Sequence, residues 1–402
     1  MGFRLPSSYP HAALDCMARW CLVAFFFLMP LTLAGANLSM ACTLVLWLLS
    51  GRFRERWQAV RHLPPTFPLL GLAGLILIGS LYTTGTPQEV LYHLLKYSKL
   101  LLLLAAASLL VHEPTRERCW TAFTAAMLLT LAMSYINIGW NLPWSKTHNL
   151  GWSADHSVFK DHITQGAMMA LLMLRALRQG LAVRVRWQRA LWWLVAVLAF
   201  VCNTQLSHGR TGYLATGAAL VAFTLSQVGG RRKIPALAVL AVVLAGAVWL
   251  SPQIQERVHL AVSELGDYKT DTLSSIGQRM YFWEKSLELI AERPVLGWGT
   301  GSYSGQFCRV ATTGDWCHAG AFHPHNQFLF FMVQHGIVGG LMFAAVLLMT
   351  LWGGKRCARA DRSVTWGFVG ILAVGSMTHS SLWLSSESFF YAFGLALVMA
   401  MG

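Results

Sequence analysis

Three short segments carry the residue types best suited to chemistry on an anionic substrate. Arg210 lies in Ser207-His-Gly-Arg-Thr-Gly-Tyr213, a turn that opens an apolar run. A guanidinium beside a helix N-terminus, whose free backbone N–H groups attract negative charge, makes a site for phosphate. Snorkelling to lipid headgroups is the plain alternative. Arg279 opens Gly277-Gln-Arg-Met-Tyr-Phe-Trp-Glu-Lys-Ser-Leu-Glu-Leu-Ile290 with the same options, or a pairing with Glu284. Farther on, His323-Pro-His-Asn-Gln-Phe-Leu329 offers His323, His325 and Asn326 where the chain returns to an apolar run. Histidine suits proton transfer near neutral pH, since its unperturbed pKa is about 6.5.

Other residues extend or limit this set. Lys96 and Lys99, at the outer end of an apolar run, and Lys160, just before another, suit a lipid-linked phosphate or interfacial anchoring. Trp283 joins them as a candidate substrate contact on the helix that Arg279 opens. A metal held by His318, His323 and His325 is disfavoured, because i, i+2 spacing across a proline is not a helical ligand pair and carboxylates nearby are sparse. No DxD or ExD pair occurs in any loop on this side. Charge neutralisation therefore falls to arginine rather than to Mg2+ or Mn2+. His208, His335 and His379 read as packing or interfacial residues.

The scaffold that must hold these groups is a membrane protein. The 402 residues are 55% hydrophobic and 12% charged, which excludes an ordinary soluble enzyme. Apolar runs fall at approximately 19–34, 36–50, 67–83, 94–111, 119–139, 163–179, 190–204, 211–227, 234–251, 326–352, 364–381 and 386–402, predicting about twelve spans. The first is expected to be a retained helix, since no cleavage pattern follows it. Lys and Arg cluster in alternate loops, around 52–61, 116–118, 175–189, 231–233 and 355–362. By the positive-inside bias both termini are cytoplasmic and the long break at 252–325 lies on the opposite side. The net charge of +14 is mainly this bias, and the short basic loops without stacking aromatics argue against nucleic acid.

One membrane domain, 1–402, is expected to embed 252–325 as a loop subdomain. Within the loop, 252–262 and 277–292 read as helices. Met280, Trp283, Leu287 and Ile290 form a stripe suited to the bilayer surface. Pro294 and Gly297-Trp-Gly-Thr-Gly301 break the second helix and reverse the chain. Cys308 and Cys317 share this loop, where an oxidising compartment permits a disulfide.

Taken together, the chain resembles the O-antigen ligase and O-antigen polymerase superfamily. The likeness rests on an Arg-Thr-Gly opening one helix, the late loop, and Gly277-Gln-Arg279, Trp283, Arg293-Pro-Val-Leu-Gly-Trp-Gly-Thr-Gly-Ser-Tyr303, His323 to Leu329 and His335-Gly-Ile-Val-Gly339. It is specific over roughly 205–345. His325-Asn-Gln-Phe-Leu329 fits the His-Asn-x-x-Leu element of ligases. The resemblance implies an all-α, GT-C-like polytopic protein of the bacterial inner membrane with its active site on the periplasmic face. It implies transfer of polysaccharide from undecaprenyl diphosphate to lipid A–core oligosaccharide, with inversion and with neither metal nor nucleotide cofactor. Arg210 and Arg279 would then hold the diphosphate and His325 would act as base. Membrane lipids are the remaining expected partners. An O-antigen polymerase or a protein O-oligosaccharyltransferase shares the layout. A polysaccharide-lipid transporter fits less well, because its polar groups would sit within the spans.

Overall fold

In hydrocarbon a peptide has no water to bond, so a spanning segment must satisfy its N–H and C=O groups within itself and becomes a helix. The computed structural model describes residues 9–266, 274–311 and 314–401, and among these there are helices and no strand. The parts of the long loop at 267–273 and 312–313 lie outside the described residues. The first half holds α1 (Tyr9–Leu28), α2 (Leu33–Leu49), α3 (Phe53–Val60), α4 (Thr66–Gly79), α5 (Pro87–Tyr97), α6 (Lys99–Leu110), α7 (Glu113–Ile136), α8 (His162–Ala182) and α9 (Arg186–Gln205). The second holds α10 (Arg210–Gln227), α11 (Lys233–Leu250), α12 (Pro252–Gly266), α13 (Ser275–Glu292), α14 (Tyr303–Val310), α15 (Gly314–Gly320), α16 (Gln327–Gly354), α17 (Arg359–Thr378) and α18 (Ser385–Met399).

Five described helical segments are long and apolar enough to cross a membrane: His11–Leu28, Pro87–Leu110, Glu113–Ile136, Gly230–Leu250 and Gln327–Gly354. A sixth arises if α2 and α3, bent by 115°, are one broken span. The chain is thus a polytopic helical membrane protein. Burial separates two kinds of helix. The middle of the assembly is α8, α10, α17 and α18, with α18 enclosed almost throughout from Glu387 to Met399. By contrast α11 has no buried residue and is apolar all round, as suits a helix facing lipid. On the basic side, Asp15 pairs with Arg19 and Arg56 at 2.7 Å each, Arg175 with Glu117 at 3.1 Å, and Arg178 with Asp361 at 2.6 Å.

Two expectations change. The fourth apolar run starts earlier, at Pro87, so Lys96 and Lys99 flank a break at Ser98 inside a 24-residue segment instead of marking its outer end. The stripe on α13 also turns. Its buried face runs through Phe282, Ser286, Leu289 and Ile290, while Leu287 is 55% exposed. Phe282 meets Phe307 of α14 and Trp316 of α15 edge-on at 5.5 and 5.8 Å. The helix is therefore held by its own loop; apolar spacing could not distinguish that from contact with lipid.

The loop is fastened to the bundle at a break in α16. His335 (φ −131°) and Gly336 (φ +61°) leave the helical path. The freed carbonyls of Val333 and Gln334 accept from the N–H groups of Trp298 and Gly299 at 3.0 and 2.8 Å, and Ile337 N–H donates to Pro294 at 2.8 Å. Thr300 N–H donates to the Gly79 carbonyl at the end of α4, 3.0 Å away. Cys308 and Cys317 form a disulfide joining α14 to α15, with Cα atoms 4.5 Å apart.

A Cβ on Gly336 would lie 2.1 Å from the Val295 carbonyl oxygen, at a positive φ. Gly336→Ala should therefore lose at least about 1–3 kcal/mol, read as a lower melting temperature of the detergent-purified protein. Gly217→Ala, whose Cβ would meet nothing within 4 Å, should leave that temperature unchanged or slightly raised.

Candidate functional site

Helix starts present both candidate arginines. Arg210 is the first residue of α10, behind Gly209, which supplies no side-chain cap. Its guanidinium reaches Glu264 of α12 at 3.2 Å. The same Glu264 oxygen accepts the Ile276 N–H at the start of α13, also at 3.2 Å. Arg279, one turn into α13, feels both groups. Burial and the Arg210 charge lower its pKa, and Glu264 opposes them. Glu264, which pairs with Arg210, is thus the carboxylate whose charge acts on Arg279. These groups line a cleft of about 130 Å³ together with His162, His208 and Arg257. Three guanidiniums against one carboxylate leave a net positive cleft for an anion.

The histidines stand beside it. Trp283 Nε1 donates to the Pro324 carbonyl at 3.0 Å, and Phe282 stacks on the His325 ring with centroids 6.1 Å apart. These contacts hold His325 at φ +53°, a backbone region that costs a non-glycine residue strain and is commonest at functional sites. Trp283 therefore positions the turn through its polar edge. Asn326 caps α16, accepting from Phe328 and Leu329 N–H at 3.0 and 3.1 Å. Burial, then His379 and Arg279, push the His325 pKa down to about 3; burial and the two neighbouring histidines lower His323 as well.

His379, read from the sequence as packing, completes the cluster. It follows the last residue of α17, and its ring centroid lies 5.3 Å from that of His323 and 4.9 Å from that of His325. Its Nδ1 contacts Glu387 Oε2 at 3.1 Å. Thr211, beside Arg210, donates to Thr378 at 3.2 Å, joining this end of α17 to the arginine cleft. The one sequence signal for the pair is Glu387, an acid inside the last apolar run. Arg257 and Glu264 were also missed, although their spacing of seven puts them on one face of α12.

The histidine ligand atoms lie within 4.8 Å of one another, so His379, and not the exposed His318, is the third member of any metal set here. A zinc ion bonded at about 2.1 Å would draw such atoms to about 3.4 Å. His323 Nδ1 also accepts the His325 N–H at 3.2 Å, which leaves the proton of its neutral ring on Nε2. The arrangement suits hydrogen-bonded imidazoles better than ligands.

The lysines are not brought to the cleft. Lys96 Nζ bonds Ser385 Oγ at 2.9 Å and Lys99 bonds Ser388, both on α18. Lys99 also lies over the Phe389 ring at 4.8 Å. Lys160 is buried, which lowers its pKa, and it does not line the cleft.

Asn326→Ala should cost about 1 kcal/mol, the usual worth of an N-cap, and lower the melting temperature of the purified protein. An unchanged melting temperature would mean that the cap adds nothing to the stability of α16.

Residues 194–344 match the family model described as O-antigen ligase. A protein of Haemophilus influenzae (strain ATCC 51907 / DSM 11121 / KW20 / Rd), described as an uncharacterized protein, is 26% identical over 179 residues. That similarity covers 42% of this chain and 44% of the relative, less than half of either. The family match contains Arg210, Arg279, His323 and His325, whereas His379 and Glu387 lie beyond it. Over residues 194–344, less than half of its length, the chain is thus similar to the O-antigen ligase family.

Proposed function

We propose that this protein is an O-antigen ligase: a glycosyltransferase that moves polysaccharide from undecaprenyl diphosphate to a hydroxyl of lipid A–core oligosaccharide. The observation that carries the reading is the convergence of Arg210 and Arg279, from separate helices, on one cleft beside buried histidines. A diphosphate is a good leaving group and needs its developing charge stabilised more than it needs a strong acid. Two guanidiniums supply that by charge-assisted hydrogen bonds. His325 takes the hydroxyl proton as the acceptor attacks the anomeric carbon from the face opposite the diphosphate, so the configuration inverts. No metal enters this scheme. His323 shapes the base, and Lys96, Lys99 and Lys160 act at most on the surrounding structure.

In the same reading the site faces the periplasm from the bacterial inner membrane and both termini are cytoplasmic. The shorter apolar helices complete about twelve spans in a GT-C-like bundle, a single domain over 1–402 that embeds 252–325. The ligase is preferred to the polymerase and to the protein O-oligosaccharyltransferase because His325-Asn-Gln-Phe-Leu329 has the ligase spacing.

The test is a reconstitution with lipid-linked oligosaccharide and lipid A–core. Transfer to lipid A–core as sole acceptor is expected; transfer only to a second lipid-linked repeat would make the protein a polymerase. Arg210→Ala and Arg279→Ala should each lower the rate by about 10²–10³-fold, and His325→Ala by about 10²–10⁴-fold, with membrane insertion intact. Activity should survive EDTA. Loss that a divalent ion restores would overturn the metal-free scheme.

A further inference from the structure

The proposed ligation leaves a proton on His325, an imidazole that burial makes a poor resting place for charge. Beside it the structure holds a feature that the scheme above does not use. Glu387, 4% exposed, opens α18 and faces His379, 7% exposed. An ionised carboxylate only accepts, so His379 Nδ1 is the donor across the 3.1 Å contact and its Nε2 carries the lone pair. That ring meets His325 at 4.9 Å, nearly edge to face. A buried carboxylate that fixes the tautomer of one imidazole and favours its protonated form is the arrangement that makes histidine an effective proton acceptor.

We propose that His379 and Glu387 are a relay pair for the transfer step: His379 receives the acceptor proton from His325, and Glu387 holds His379 in the receiving tautomer. The inference rests on the ligase reading above and names two positioning residues for it. As the acceptor O–H bond breaks, its oxygen bonds the anomeric carbon and the C–O bond to the diphosphate opens. The bonding electrons of that C–O bond leave with the diphosphate toward Arg210 and Arg279. The proton goes to one ring nitrogen of His325, another leaves to His379 Nε2, and it passes to solvent before the next turnover. Glu387 stabilises the resulting imidazolium.

The other charged and titratable groups around the pair are few. His323 and His325 face His379 from the turn before α16, with Arg279 of α13 behind His325. Near Glu387 are Lys99 of α6, through Ser388, and Tyr391 one turn along α18, a ring that Asp161 at the cap of α8 also faces.

The experiment is the pH profile of kcat/KM in the reconstituted assay for wild type, Glu387→Gln, Glu387→Asp and His325→Ala, with a melting temperature for each. Glu387→Gln keeps the size of the side chain but removes the charge that favours the imidazolium. It should lower the plateau by about 10²-fold and move the acid limb to lower pH, because the cluster then protonates less readily. Glu387→Asp should return the limb toward its wild-type position. A Glu387→Gln enzyme that melts earlier but keeps the wild-type limb and, per folded molecule, the wild-type rate would overturn the relay, leaving Glu387 a packing residue. Full activity in His325→Ala would instead overturn the base assignment on which the relay rests.

Discussion

A helix can break at membrane depth only where protein supplies partners for the peptide groups the break sets free. In α16 those partners come from the loop: Trp298 and Gly299 donate to Val333 and Gln334, and Pro294 accepts from Ile337. This exchange ties the Gly-rich run to the bundle through backbone hydrogen bonds. It also explains the glycines. Gly299 has φ +91°, and a Cβ there would lie 2.3 Å from the Thr83 Cα, so a side chain would push the loop off its seat. With the run docked, α13 and α14 are carried to a fixed place above α16, and the turn at His323–Asn326 is stretched between two anchored elements. Trp283 and Asn326 then fix that turn from either side. The strained backbone at His325 is a consequence of these anchors, and it places the ring toward α17.

Electrostatics in the site divides along the same geometry. The guanidiniums of Arg210 and Arg279 repel, and Glu264 between α12 and α13 offsets part of that repulsion in the absence of an anion. An anion in the cleft would relieve the remainder, so the cleft favours dense negative charge. The histidines see the opposite condition: near one another and near Arg279, the buried His323 and half-buried His325 are held neutral. A neutral imidazole has the lone pair that a base requires. Positive charge on the arginines and its exclusion from these two histidines are thus two results of one arrangement.

Much of this could be read along the chain. Helix α13 begins two residues before its expected start, and α12 and the arginines at helix starts lie where expected, because caps, amphipathic spacing and breakers act over a few residues. The cysteines of the loop are joined as their shared compartment suggested. The stripe on α13 and the lysines were both placed by spacing along the chain, which does not show what packs against them. In a membrane protein an apolar side chain gains similarly from lipid and from another helix, so hydrophobicity does not say which neighbour it has. Ile290 is buried in the protein and Lys99 points toward α18, against the reading that spacing favours, while Leu287 stays exposed.

Residue types and their order along the chain were enough to show a helical membrane protein with one long polar loop, two arginines and two histidines at helix and loop ends. Those are local properties, set by residue type and by the few residues on either side. Packing of distant elements alone brings His379 and Glu387, more than 50 residues beyond His325, beside it, and sets Glu264 against Arg210. Which helices become neighbours depends on packing and on hydrogen bonds across the break in α16, and no spacing along the chain encodes that choice.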